Sequence, residues 1–310
     1  MNKTNKTNTD NTFQQGLEGT GAGEWAKVSY NIAVGCPHNC NYCYARGNAR
    51  HFNWIPSLED WPNMRLIPER VAEAADKFCG TSVMYPSTHD ITPEILPQAL
   101  QTLRGLLGGG NSVLFVSKPH LEVIEAICRE MPAHKAQLQF RFTIGSGNPD
   151  TCALWEPGAP GPNERIAALR HAFELGYQTS VSMEPMLEDN AAMCALVDRV
   201  TPFVMGTVWL GKLNGGVPLY IQAKPGIKEA LRTVRAGQSD ELILALHDRL
   251  AQNPKVRWKD SIKEVLRKHG RLPKLPNASA KVVDPKRRQA ALKAHETMRR
   301  RRAALQGTSG

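Results

Sequence analysis

The sequence lacks any apolar run near the roughly 18 residues that a membrane-spanning helix requires, and this absence excludes an integral membrane protein. The first 24 residues lack a hydrophobic signal region. They are polar and rich in Asn and Thr, so we expect a disordered leader on a cytoplasmic protein. Seven cysteines cannot all pair, and three of them lie within eight residues, which argues against a secreted disulfide framework. What is present is a chain of 310 residues, 41% hydrophobic, long enough to bury a sizeable core.

Positive charge is concentrated towards the end of the sequence. The chain carries 39 Lys and Arg against 29 Asp and Glu, a formal net charge of +10. Residues 226–310 hold 21 of the basic and 8 of the acidic residues, so the first 225 residues are close to neutral. This asymmetry indicates a catalytic body with a basic appendage.

Short apolar strands alternate with amphipathic helices over most of the chain. Strands are predicted at residues 25–34, 82–85, 112–116, 138–144, 178–183 and 203–210. Helices are predicted between them, at residues 66–78, 94–107, 121–130, 163–175 and 190–200. This order predicts an α/β fold, a parallel sheet or barrel whose strand ends gather the functional loops on one rim.

The same pattern predicts four segments. Residues 1–24 form the leader, residues 25–225 the barrel, residues 226–270 a helical extension, and residues 271–310 a linker and a basic C-terminal helix. Beyond about residue 226 every predicted element is a helix, so we expect no further strand there.

A cluster of cysteines follows the first predicted strand. Cys36, Cys40 and Cys43 have the spacing C-x3-C-x2-C, and no fourth cysteine lies nearby. Thiolates so close together favour zinc or an iron–sulfur centre, and three ligands to a 4Fe-4S cluster leave one iron open for chemistry. Zinc held by the three cysteines and His38, an electron-transfer ferredoxin and a chance grouping of structural cysteines are the alternatives.

This cluster resembles the motif of the radical SAM superfamily, including the aromatic residue, Tyr42, before the last cysteine. The resemblance covers about residues 25–225 and implies a partial (β/α)6 radical SAM barrel. It implies a 4Fe-4S cluster on the three cysteines, with S-adenosyl-L-methionine (SAM) bound at the open iron. One electron then splits SAM into methionine and a 5′-deoxyadenosyl radical. In that family the aromatic residue lies against the adenine.

Further segments narrow the resemblance and suggest SAM contacts. Residues 87–90, 117–119 and 155–165 look like the spore photoproduct lyase-like branch, whereas residues 183–187 and 209–214 look more like a phage-associated, largely uncharacterised group. The resemblance places His89, Asp90, Lys118 and Thr143 around the methionyl end of SAM, where a lysine can pair with the carboxylate. A solvated strand-end lysine and a helix N-cap are the structural alternatives for Lys118 and Asp90.

Two further positions concern the substrate side of the site. Glu184 follows a predicted strand and would face the barrel mouth, where it contacts the SAM ribose or the substrate; a structural hydrogen bond to the rim is the alternative. The lyase branch has a cysteine hydrogen donor where this sequence has Ser87, and a hydroxyl is a far poorer donor than a thiol. Repair of thymine dimers is therefore doubtful, and Cys152 is a candidate substitute donor, with a plain loop cysteine as the alternative.

The C-terminal segment carries eight basic residues and one acidic residue from Lys286 onwards. A helix with this charge can neutralise phosphates, so nucleic acid is a predicted partner; a solvated tail is the alternative.

The sequence therefore predicts a radical SAM enzyme acting on nucleic acid or a nucleotide, with a flavodoxin- or ferredoxin-like electron donor. A radical SAM enzyme for a small metabolite or peptide, and a zinc-stabilised nucleic-acid-binding protein without catalysis, are the alternative functions.

Overall fold

The computed structural model describes Gly23, residues 25–213 and residues 217–273. The predicted leader, apart from Gly23, and the predicted basic helix lie outside the described residues, as does Asn214. The chain divides after His269 into two units, and every element named below belongs to the first.

A parallel sheet of seven strands forms the centre of the fold, in the order β1-β4-β5-β6-β7-β8-β9. A two-stranded antiparallel ladder, β2 with β3, lies beside the cysteine cluster in the sequence. The strands are β1 (Val28–Ser29), β2 (Ala33–Val34), β3 (Arg65–Leu66), β4 (Ser82–Tyr85), β5 (Ser112–Ser117), β6 (Leu138–Thr143), β7 (Gln178–Met183), β8 (Val208–Leu210) and β9 (Val256–Trp258).

Helices connect successive strands, as a parallel sheet requires. They are α1 (Tyr44–His51), α2 (Pro68–Lys77), α3 (Leu96–Gly108), α4 (Leu121–Glu130), α5 (Pro149–Trp155), α6 (Pro162–Glu174), α7 (Asn190–Val200), α8 (Leu219–Gln222), α9 (Ile227–Gly237), α10 (Asp240–Leu250) and α11 (Asp260–Lys268). Short 3₁₀ turns occupy Pro93–Ile95, Pro132–His134 and Thr201–Phe203. None of the helices among the described residues has both the length and the apolar character needed to cross a membrane.

The central strands are buried, and in β4 and β5 most of the residues are apolar. In β5 the run Val113, Leu114 and Phe115 is fully buried, and it pairs in register with β4 on one side and β6 on the other. Strands that are covered on both faces have this continuous apolar pattern rather than an alternating one. The parallel register brings the carboxyl ends of these strands, and the loops that follow them, to one rim.

Several sequence predictions are wrong in detail. Of the predicted strand at 203–210 only Val208–Leu210 is a strand, and a 3₁₀ turn ends at Phe203. The predicted strand at 25–34 is two strands, because the chain leaves the sheet after Tyr30, whose N–H donates to the Met84 carbonyl, and β2 then pairs with β3. The pattern beyond residue 226 is not purely helical, because β9 extends the sheet by pairing with β8. A strand of three residues is too short to give a periodic signal in the sequence.

Candidate active site

A cavity of about 610 Å³ opens at the rim where the parallel strands end. All three clustered cysteines line it, together with every residue that the sequence analysis assigned to SAM. These residues are Cys36, Cys40, Cys43, Tyr42, His89, Asp90, Lys118, Thr143 and Glu184. They come from several separate stretches of the chain, so the fold brings residues that are far apart in the sequence to one cavity.

The loop that carries the cysteines is held by its own turns and by a glycine. Gly35 has φ +94°, and a Cβ there would lie 2.8 Å from the Trp61 carbonyl oxygen, so the position requires glycine. The Cys36 N–H donates to that same carbonyl at 2.8 Å. Cys43 is the N-cap residue of α1, so the last cysteine lies at the beginning of a helix.

The three thiols are free and have the chemistry of cluster ligands. Burial, followed by the charge of Asp90, raises the pKa of Cys36 to about 12, and burial likewise raises the pKa of Cys40. Buried thiols in this condition stay protonated and inert unless a metal displaces the proton. An all-sulfur donor set of three, facing an open cavity, fits a 4Fe-4S cluster with one iron left for another ligand.

The geometry does not favour a single zinc ion on the same cysteines. Ligands of one tetrahedral zinc lie within about 4 Å of one another, since each is about 2.0–2.3 Å from the metal. Among the described residues, Cys36, His38 and Asp90 form the one group of three or more His, Cys, Asp or Glu residues whose metal-ligating atoms all lie within 4.8 Å of one another, and it includes neither Cys40 nor Cys43. His38 also has its two ring nitrogens 3.0 Å from Asp90 Oδ2 and 3.1 Å from His120 Nε2.

Tyr42 lies at the cavity wall and is anchored from behind. Its hydroxyl donates to Glu156 Oε1, and Glu156 Oε2 forms an ion pair with Arg165 at 2.6 Å, with both of these side chains fully buried. Burial and the Glu156 carboxylate raise the pKa of Tyr42 well above its usual value. Glu156 and Arg165 belong to the lyase-like segment of the sequence, yet nothing there indicates that they brace Tyr42.

The Asp90 side chain accepts hydrogen bonds from the residues at the end of β5 and does not cap a helix. Its Oδ1 accepts hydrogen bonds of 2.7 Å from Ser117 Oγ and from the Lys118 N–H. Burial alone would raise the pKa of Asp90, but His38, Lys118 and Ser117 together hold it well below its usual range. The carboxylate is therefore negatively charged and fixed beside the cysteine loop.

His89 has both ring nitrogens engaged by backbone groups. Nε2 accepts from the Ile32 N–H at 3.2 Å, so Nδ1 carries the proton and donates to the Asp90 carbonyl at 3.0 Å. Burial lowers the pKa of His89, which agrees with a neutral ring. The imidazole has no nitrogen left for a ligand and links the segment just before β2 to the loop after β4.

Lys118 and Thr143 face the cavity from the ends of two neighbouring strands. The Lys118 ammonium lies 5.6 Å from the centroid of the Tyr42 ring. Burial disfavours the charged form of Lys118, but Cys40, Glu156 and Asp90 outweigh it and raise the pKa above the usual value. Lys118 is thus a half-buried cation that lines the cavity. The Thr143 carbonyl accepts from Arg165, which ties this strand end to the brace behind Tyr42.

Glu184 occupies the far side of the cavity, beside a residue that the sequence analysis missed. The Lys259 ammonium is 3.6 Å from Glu184 Oε2 and lies over the ring of Trp25, 4.3 Å from its centroid. Lys259 follows β9, and its N–H donates to the Leu210 carbonyl at 2.9 Å. The signal in the sequence is slight: a lysine directly after the short strand-like run Val256–Trp258, in a segment predicted to be helical.

Ser87 and Cys152, the two positions considered for a hydrogen donor, differ in whether they line the cavity. Ser87 lines the cavity, and its hydroxyl accepts from Asn31 Nδ2 at 2.9 Å. Cys152 does not line the cavity; it is buried in α5 with its Sγ 3.7 Å from the Ser146 carbonyl oxygen. The structure thus places Cys152 in a helix, where the sequence analysis expected a loop near a strand end.

Two uncharacterised proteins are similar to this chain in sequence. No protein-family model matches the chain. An uncharacterised protein of Acidianus two-tailed virus is 27% identical over 170 residues, which are 52% of this chain and 56% of that protein. An uncharacterised protein of Methanocaldococcus jannaschii is 21% identical over 180 residues, 57% of this chain and 67% of its own length. The matched region therefore spans little more than half of the viral relative.

Solved structures of spore photoproduct lyase share the fold. One mutant of that lyase superposes with a TM-score of 0.54 and 18% identity, covering 76% of each chain. Another mutant, with bound AdoMet and dinucleoside spore photoproduct, gives a TM-score of 0.50 at 18% identity over 76% of each chain. This likeness confirms the predicted fold class, an α/β partial barrel.

Proposed function

We propose that the protein is a radical SAM enzyme. One observation carries the proposal: three free cysteines with the spacing C-x3-C-x2-C meet a half-buried lysine, a fixed carboxylate and an anchored tyrosine in one cavity at the rim of a radical SAM-type barrel. When bound, a 4Fe-4S cluster and SAM would supply a 5′-deoxyadenosyl radical there. The lyase that shares the fold binds AdoMet in one of its structures, which further motivates SAM as the cofactor.

The residues of this chain would bind and orient the cofactors. Cys36, Cys40 and Cys43 would hold the cluster, and Lys118 would pair with the SAM carboxylate. Tyr42, fixed by Glu156, would present its ring to the adenine, while Asp90 holds the Lys118 backbone in place. Thr143 and Glu184 would take polar groups of SAM or substrate, and His89 would brace the rim.

For the substrate we propose nucleic acid or a nucleotide. The basic segment from Lys286 onwards supplies charge for phosphates, and it lies outside the described residues. The viral relative supports placing the chain in the phage-associated group.

We also propose a cytoplasmic location and a flavodoxin- or ferredoxin-like reductant, because iron–sulfur radical chemistry needs a reducing compartment.

Electron paramagnetic resonance of the anaerobically reconstituted, dithionite-reduced protein tests the cofactor assignment. We expect a reduced 4Fe-4S signal that changes shape when SAM is added. The signal should disappear in Cys36→Ala, Cys40→Ala and Cys43→Ala but remain in Cys79→Ala, which alters an exposed cysteine outside the cavity. A colourless protein with stoichiometric zinc and no iron signal would refute the proposal.

A second candidate function is a radical SAM enzyme for a small metabolite or peptide, favoured by a cavity that would suit a small substrate. Deletion of residues 285–310 separates the two. The nucleic-acid hypothesis predicts that the deletion abolishes substrate binding and leaves SAM cleavage intact, whereas the small-substrate hypothesis predicts no change in either.

A further inference from the structure

A second cavity, of about 400 Å³, lies directly behind the first. The two share Ala45, Trp61 and Thr88 as a common wall. Its own lining includes Trp54 and, from β3 and α2, Arg65 and Arg70. A group bound in this second cavity would therefore lie next to whatever occupies the reaction cavity.

Trp54, which lines this cavity, and its neighbour Phe52 are exposed aromatic residues. Trp54 is 50% exposed and Phe52 57% exposed, and their rings stack with centroids 5.4 Å apart at an interplanar angle of 27°. Contiguous exposed apolar surface is one mark of an interaction site. The stacking on Phe52 orients the Trp54 indole, and Trp54 also lines the cavity, where another flat ring can stack on it.

The lining of the cavity also carries two cations. Arg65 and Arg70 are exposed, and within the described part of the chain neither forms an ion pair with a carboxylate. Arg70 donates to the Asn31 carbonyl at 3.1 Å, which positions its guanidinium at the cavity. The segment from Cys36 to Leu58, which contains Trp54, has arginines but no Asp or Glu, so no carboxylate of this segment would repel an anion.

An exposed indole and two arginines that line one cavity fit one nucleotide of a single strand. Bases stack on aromatic rings whatever their sequence, and arginine forks bind phosphate oxygens. We propose that the second cavity holds the nucleotide next to the reacting one, with its base on Trp54 and its phosphate on Arg65 and Arg70. This inference rests on the proposed function, and it supplies the stacking aromatics that the basic C-terminal segment lacks.

The test compares two fluorescein-labelled dodecamers, thymidylate and an abasic strand with the same number of phosphates, by fluorescence anisotropy on the full chain. Because both strands carry equal charge, their affinity ratio cancels any contribution of the basic C-terminal segment. The wild type should prefer the thymidylate strand by about 5- to 150-fold, the range expected for one base stack. Trp54→Ala should reduce this preference by the factor of that one stack, and Trp54→Phe should keep most of it.

Matched controls come from other parts of the chain. Tyr220→Ala removes an exposed aromatic that does not line the cavity, and it should leave the preference unchanged. Arg65→Gln combined with Arg70→Gln should reduce the slope of log affinity against log salt by about 0.7 for each phosphate that these arginines neutralise in the wild type. Arg232→Gln, on α9, should leave that slope as in the wild type.

The outcomes separate this inference from the proposed function. Reductive SAM cleavage is measured in parallel without nucleic acid, and Trp54→Ala should retain it. If the wild type cleaves SAM but shows no base preference, or if Trp54→Ala keeps the preference, this inference is overturned and the proposed function stands. If the preference depends on Trp54 but no SAM is cleaved, the nucleotide site stands and the proposed function fails.

Discussion

Arg165 shows how much of this site depends on a residue that lies behind the cavity rather than in it. Its guanidinium forms an ion pair with Glu156 at 2.6 Å, and the side chains of both residues are fully buried. Glu156 in turn accepts from the Tyr42 hydroxyl. Removing one partner of such a pair leaves an uncompensated charge inside the protein, which costs far more than the pair contributes when intact.

Arg165→Met is therefore expected to lower the free energy of unfolding by about 3–5 kcal/mol, because the Glu156 carboxylate is left buried without its cation. Urea unfolding followed by circular dichroism measures the change. Arg170→Met is the matched control on the same helix, since Arg170 pairs with Glu174 on the exposed face, and it should leave the unfolding midpoint close to that of the wild type. Equal effects of the two substitutions would contradict the assigned role of the buried pair.

At the scale of elements, the loop between α5 and α6 supports the cysteine loop through backbone contact. The Gly158 N–H donates to the His38 carbonyl at 3.1 Å, and a Cβ on Gly158 would collide with the Pro37 carbonyl oxygen. Pro37 and His38 lie between the first two cysteines. The two loops can only pack this closely because one of them carries glycine.

Gly158→Ala should destabilise the protein by about 1–3 kcal/mol, because a backbone atom has to move to admit the new methyl group. It should also lower the iron content after reconstitution, since the displaced atoms belong to the cysteine loop. Gly161→Ala is the control in the same loop, where a Cβ meets nothing within 4 Å. Thermal melting and iron analysis of both variants check this, and normal iron content in Gly158→Ala would count against the loop contact.

The contact between α10 and the end of α11 gives a pH-dependent prediction. Hydrogen bonds from Lys268 and His269 lower the pKa of Asp240 to about 2, below the roughly 3.9 expected for an unfolded aspartate. A lowered pKa in the folded state contributes stability above the unfolded pKa, and that contribution disappears as the pH falls through the folded pKa. The stability added by Asp240 should therefore decline between about pH 4 and pH 2.

Comparison of the wild type with Asp240→Asn isolates this effect. The difference between their unfolding midpoints should be small at about pH 4 to 5 and should shrink as the pH falls towards 2. Urea titrations at a series of pH values provide the measurement. A difference that grows at acid pH would mean that Asp240 has no stabilising partner in the folded protein.

For the whole molecule, the segment after residue 225 is part of the core. Ile227, Leu231 and Val234 of α9 pack against Trp155 and Leu187. Gln238, directly after α9, accepts from the Leu213 N–H at 2.8 Å and donates to the Met186 carbonyl at 2.8 Å. With β9 on the sheet and Lys259 in the cavity, this segment completes the site rather than merely extending it.

A chain ending at residue 225 is thus expected not to unfold cooperatively, because it exposes Trp155 and Leu187 and removes the edge strand β9. A chain ending at residue 273 keeps all of these contacts and should melt like the full chain. Differential scanning calorimetry distinguishes the two. A cooperative transition in the shorter chain would show that the barrel is independent of the segment, as the predicted boundary at residues 225 and 226 implies.

Much of the fold was predictable because it depends on local patterns. The strands of β4 to β7 and the helices between them have periodicities long enough to identify, and alternation of the two leads to a parallel sheet. The cysteine spacing pointed to one loop of the cavity for the same reason, since Cys36, Cys40 and Cys43 lie within one short segment. Parallel strands then bring the residues after each strand to a common rim, which is why His89, Lys118 and Glu184 could be expected in one site.

The tertiary structure alone decided which partners those residues meet. Glu156 pairs with Arg165 behind Tyr42, and Lys259 reaches Glu184 from a distant, very short strand, because packing brings together side chains that are far apart in the sequence. It also decided that Asp90 accepts hydrogen bonds from Ser117 and Lys118, and that Trp54 shares a cavity with Arg65 and Arg70. Sequence periodicity specifies the face on which a residue lies, whereas a contact depends on the position of another element, which only the folded chain sets.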